Sequence, residues 1–192
     1  MTVSIDGTAG ITTPAVTTSG IDEAATQTQG GVAMPRMVLS TTQNTTSGAS
    51  IDFITIPVWV KRITLMFNGV STTGTSIPMI QLGSGSVQTT GYNSAGSVII
   101  SSAASSNSTT GFLTSGGVSD GSGTTRHGMA ILSVMGGNVW TFQSVLGASD
   151  SAATRLGGGS VTLSGAIDRL RLTTVGGSET FDAGSVNILY EG

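Results

Sequence analysis

From Val58 to Asn68 apolar and polar side chains alternate, with Ile63, Leu65 and Phe67 on one face and Arg62, Thr64, Met66 and Asn68 on the other. A period of two is that of a strand buried on one side, and Asn68-Gly69 predicts a turn at its end. Shorter runs predict strands at Met37 to Leu39, Ile51 to Ile56, Ile77 to Leu82, Ser97 to Ser101, Met129 to Met135, Val139 to Leu146 and Leu156 to Leu163. Gly136-Gly137 between two of these reads as a tight hairpin. Nearer the end, Leu170 and Leu172 share a face and Arg169 and Arg171 take the opposite one. Gly176-Gly177-Ser178 turns the chain, and Val186, Ile188 and Tyr190 alternate in a last strand. Short strands punctuated by glycine predict an all-β fold, an antiparallel, jelly-roll-like β-sandwich over residues 36–192.

Two stretches break the pattern. Residues 1–35 show no sustained alternation beyond isolated Ile5, Ile11, Val16 and Ile21 among Thr, Gly and Pro, which predicts an extended N-terminal arm lying on another protein, with a flexible tail as the alternative. Ser102 to Gly128 has only Phe112, Leu113 and Val118 as sizeable apolar residues and predicts a long loop, a length that compact domains keep for function or fold internally.

Composition sharpens this picture. Of 192 residues, 29 are Gly, 30 Thr and 27 Ser, whereas Lys occurs once and Glu three times, so the residues that coat soluble helices are missing. Val and Ile, 30 together, outnumber Leu and Met, 18 together, as suits pleated strands. Charged residues are 9% of the chain, with a net charge of -3. That is too few for a small monomer's surface, which carries roughly 25–35%, and strands without guarding Lys or Pro leave their edges open to pairing. The composition therefore predicts association with further copies.

The same numbers exclude several chemistries. Without cysteine and with His127 as the single histidine, disulfides, thiolate sites and multi-histidine metal sites are out of reach. Seven scattered basic residues give no footprint for nucleic acid, and neither a membrane span nor a signal peptide is read. Gly117-Val118-Ser119-Asp120-Gly121 fits the G-x-S-x-G pattern, but its surroundings do not supply the strand and helix that the nucleophile turn needs. Asp120, Asp150 and Asp182 stand in turns without the spacing of a calcium loop, and Glu179 with Asp182 reads as solvated. No catalytic residue, cofactor or metal is expected. Trp59 and Trp140 read as core or subunit-interface residues. Four residues are candidates for ligand binding: Tyr92 and Asn93, where Gly-Tyr-Asn-Ser sets a ring in a polar stretch that either stacks on a sugar or packs over the sandwich end, and Arg126 and His127, which could meet an acidic sugar.

The segments IPVWVKRITLMFNGVSTTG (Ile56 to Gly74) and GAIDRLRLTTVGGSETFDAGSVNILYEG (Gly165 to Gly192) resemble the first long strand and the closing hairpin of a β-sandwich domain of bacteriophage tail-fibre and related virion proteins, and the Gly/Thr-rich arm resembles the attachment segments that precede such domains. The resemblance implies a homotrimeric appendage, held to other virion proteins through residues 1–35 and assembled in the host cytoplasm. Contact with a host surface glycan or protein through loops 84–96 and 102–128 is the first expectation. A capsid decoration or collar fibre with a purely architectural role is the second.

Overall fold

In the computed structural model, residues 28, 29, 32, 33, 35–117 and 121–192 are described. Most of the expected arm lies outside the described residues. Within it, β1 (Thr28–Gln29) and β2 (Val32–Ala33) form an antiparallel pair. Pro35–Gly192 form one compact unit. It is all-β: among the described residues there are strands, turns and irregular segments and no helix.

Its strands, in chain order, are β3 (Met37–Leu39), β4 (Gln43–Asn44), β5 (Ile51–Ile54), β6 (Arg62–Thr72), β7 (Pro78–Ser84), β8 (Ser86–Val87), β9 (Tyr92–Ile99), β10 (Ala103–Ser108), β11 (Phe112–Leu113), β12 (Arg126–Gly136), β13 (Val139–Ala148), β14 (Ala153–Thr162), β15 (Arg169–Thr174) and β16 (Phe181–Glu191). They form two antiparallel sheets. The larger runs β10-β9-β14-β13-β12-β6-β16-β3, with β4 also paired to β16; the smaller runs β11-β7-β15-β5, with β8 on β7. One apolar cluster fills the space between them, taking Ile63, Leu65, Leu132, Phe142 and Ile188 from the large sheet and Phe53, Ile80, Leu82, Leu170 and Leu172 from the small one. The two patterns that were clearest in the sequence, Ile63/Leu65/Phe67 and Leu170/Leu172, thus meet across a sandwich.

Two expected turns do different work. Asn68-Gly69 does not end its strand: β6 continues to Thr72, and Gly69 (φ +68°) forms a bulge where the registers of β12 and β16 both shift. The facing residue on β16, Gly184, has φ +89°, and a side chain there would collide with the Gly69 backbone. Bulges need this geometry, and they let a long strand bend while staying paired. The Gly176-Gly177-Ser178 turn does not close a hairpin either. It carries the chain from β15 in the small sheet to β16 in the large one, so the two strands read as a closing hairpin lie in opposite layers.

The stretch expected as a loop from Ser102 to Gly128 is mostly built. β10 pairs with β9 over six residues, and β11 pairs with β7. The link between them folds over the outside of β7, where the Gln81 amide donates to the Thr110 carbonyl at 2.8 Å and Ile77, Met79 and Leu113 make a small second cluster. The segment after β11 lies so close to β9 and β14 that side chains at Gly96 and Gly157 would collide with the carbonyl oxygens of Ser115 and Leu113. Glycine in this region is therefore a packing device. At the chain's far end Arg36 and Gly192 exchange backbone hydrogen bonds of 2.7 and 3.0 Å, and the Arg36 guanidinium lies 4.8 Å over the Trp59 ring.

Candidate functional site

The four residues expected to bind a ligand do not form one site. Tyr92 opens β9 with its ring inward and is 1% exposed. It stands edge-on to Phe112 at 4.9 Å, and Phe112 stacks on Phe142 at 4.7 Å. Its hydroxyl accepts the Leu82 N–H at 2.7 Å and has the Gln88 and Leu82 carbonyls at 3.1 and 3.3 Å. The polar neighbours that suggested a loop belong to a strand, with Asn93 outward and Ser94 inward, so the ring is core and cannot stack on a sugar. Burial pushes its phenol up to about 12, with the Leu82 hydrogen bond pulling the other way.

Arg126 is likewise turned inward and fully buried, its guanidinium donating to the carbonyls of Thr124 at 2.9 Å and Val70 at 3.4 Å. It ties the 121–125 segment to β6 and is closed to an acidic sugar. Asn93 and His127 do face outward, but at opposite ends of the large sheet, three strands and six residue ranks apart. At standard strand spacings that is roughly 25 Å.

Among the described residues, His127 is the one group whose surroundings hint at catalysis. Its Nδ1 accepts the Gly69 N–H at 3.2 Å, and Ser149 Oγ lies 3.3 Å from Nε2. Because Nδ1 is occupied as an acceptor, the neutral ring carries its proton on Nε2 and donates toward Ser149. A general base needs that nitrogen free to accept. The neighbouring Asp150 carboxylate binds Thr125 through its N–H and hydroxyl instead of orienting the imidazole. The serine of the G-x-S-x-G match falls within 118–120, as does Asp120, outside the described residues.

Among the described residues the other acids hold backbone or hydroxyl groups or pair with arginines. Glu179 accepts the N–H groups of Thr75 and Ser76 at 2.9 and 3.0 Å, and Asp182 takes the Ser71 hydroxyl. Neither is merely solvated, and they do not act as a pair. Asp52 receives Arg171 through two bonds of 2.7 Å, and the Arg169 guanidinium beside Asp168 holds its carboxyl below the ordinary range. Among the described residues no group of three His, Asp or Glu side chains is placed to hold a metal ion.

What the fold does offer is a broad outer face on the large sheet. Every charged side chain of β9, β10, β13 and β14 is accounted for by Arg155, which is buried and inward. Their outward positions include Asn93, Ala95, Ser97, Thr141, Gln143, Val145, Thr154, Leu156, Gly158 and Ser160, with Asn107 and Ser105 on the edge strand. At one end this face dips into an open trough of about 510 Å³ lined by Asn93, Ala95, Asn107, Thr109 and Gly158. Amides and hydroxyls without charge suit neutral hydrogen-bonding partners, such as a glycan or a protein backbone. Across its middle runs an apolar rank. Met66, Met129, Val145 and Leu156 sit directly opposite one another on β6, β12, β13 and β14, with Met129 49% and Val145 58% exposed. The sequence held a signal for this surface in the outward half of each alternation, but reading it requires the strand order, which no local pattern contains.

No protein-family model, no curated protein and no solved structure matches the chain.

Proposed function

We propose that the chain is a structural protein of a bacteriophage virion, a homotrimeric tail-fibre or receptor-binding appendage attached through its N-terminal residues. The observation that carries this reading is the large sheet's outer face, wide and uncharged across four strands. Such a face suits contact with proteins and neutral glycans. The resemblance of segments 56–74 and 165–192 to tail-fibre sandwiches supplies the setting. Host contact would then fall to the Asn93–Asn107 trough, in place of the Tyr92 ring and the Arg126 cation.

The burial of those two residues favours a second reading, in which the protein is a capsid decoration or collar fibre that contacts only its virion neighbours. Labelling purified particles with an antibody to the chain separates the readings. Label at the fibre tips supports the appendage, label on the capsid or collar supports architecture, and particles without label refute both. Deleting residues 1–34 is expected to leave the Pro35–Gly192 unit folded but absent from particles. Incorporation of the shortened chain at the normal level would remove the attachment role.

A further inference from the structure

We propose that copies of this chain associate through the outer face of the large sheet, with Met66, Met129, Val145 and Leu156 at the centre of the contact and a second copy as its occupant. The inference rests on the reading of the chain as a self-assembling structural protein and assigns the surface it uses.

Single exposed apolar residues are ordinary, but four in register on adjacent strands make a continuous stripe. The next rank extends it, since Leu39, Leu189, Thr64 and Ile131 also stand opposite one another, and Leu39 is 61% exposed. Beyond these ranks comes a polar rank of Ser133, Thr141 and Ser160 continued by the ion-paired Arg62 and Glu191, and Gln143 stands beside Ile131. An apolar centre within a polar, hydrogen-bonding rim is the anatomy of a protein interface.

Size and charge identify the occupant. Six strands from β9 to β16 at about 4.8 Å spacing, each presenting roughly 33 Å of length, offer about 800 Å², which is one side of a standard interface. A nucleic acid or a strongly acidic or basic protein would find no charge to pair with on β9, β10, β13 or β14. Around a threefold axis a second copy brings the same stripe and the same neutral rows to the contact, and the charges of the six-strand face, Arg62 paired with Glu191 at 3.4 Å, stay beyond the stripe at its rim.

Because the native chain has no cysteine, single introduced cysteines report this contact cleanly. Val145→Cys and, on the outside of the small sheet, Ile54→Cys are both at exposed positions. Treated with a short bismaleimide in the full-length protein, Val145→Cys is expected to cross-link at least about tenfold more than Ile54→Cys, since copies held together present a high effective concentration. The double variant Met129→Glu/Val145→Glu should lower the mass in solution to that of one chain, and if it fails to fold the cysteine pair decides alone. A multimeric native chain in which Val145→Cys cross-links no better than Ile54→Cys would overturn the assigned face and leave self-assembly standing. A native chain that is a single copy in solution would end both.

Discussion

Gly157→Val is expected to destabilise the sandwich by about 3 kcal/mol, the upper part of the range for overpacking a filled interior, while the neighbouring Gly158→Ser stays within about 0.5 kcal/mol. The difference comes from the face each residue occupies. Gly157 points inward, where a side chain would run into the Leu113 carbonyl oxygen, with the Ser144 hydroxyl at 2.6 Å and the Phe142 ring at 2.9 Å. Backbone and packed ring cannot both yield there. Gly158 points outward and would meet nothing nearer than the Phe142 carbonyl at 3.9 Å. Urea unfolding of the two variants measures the contrast. Equal losses would mean that β11 and the residues after it do not lie directly on β14.

Tyr92→Ala is expected to cost about 4 kcal/mol, in the range for removing a large buried aromatic side chain, with Tyr92→Phe costing about 1–3 kcal/mol because the Leu82 N–H loses its acceptor. Phe112 would lose its edge-on partner in the alanine variant and keep it in the phenylalanine one. A pH dependence accompanies the hydroxyl. With its pKa raised from 10.0 to about 12, the folded protein keeps a proton that the unfolded chain releases. The associated stability is full below about pH 10 and is lost as pH rises to about 12. Tyr92→Phe should flatten that alkaline decline, leaving the smaller share of Tyr190, whose phenol burial also raises. An alanine variant of native stability would return Tyr92 to the surface and to a role in recognition.

The contrast between Tyr92 and Leu65 shows how far the sequence could be read. Leu65 belongs to a run long enough for its period to declare which side is buried, and the sandwich follows from a few such runs. Tyr92 stands among Gly, Asn and Ser, where the inward partners of its alternation are Ser94 and Gly96, residues that carry no apolar signal. Arg126 escaped for the opposite reason: a charged residue reads as outward unless its partners are known, and Val70 lies 56 positions away. The Gly-rich run at 157–159 falls within the strand expected over 156–163, but glycine carries no apolar signal to say that its residues alternate between contact with the second layer and open surface. Asn68-Gly69 and Gly176-Gly177 carry turn residues correctly, but whether such a pair turns back, bulges or crosses to another sheet depends on the distant strands that meet it. The candidate surface was invisible for the same reason. Met66, Met129, Val145 and Leu156 are scattered over 91 residues and become neighbours only through the order β6-β12-β13-β14.

That self-assembly unites these observations is tested most directly by the mass of the unmodified full-length chain in sedimentation equilibrium at micromolar concentration. The structural-protein reading predicts a species three times the 19.1 kDa of one chain. A stable, folded species of 19.1 kDa that persists as concentration rises would contradict it.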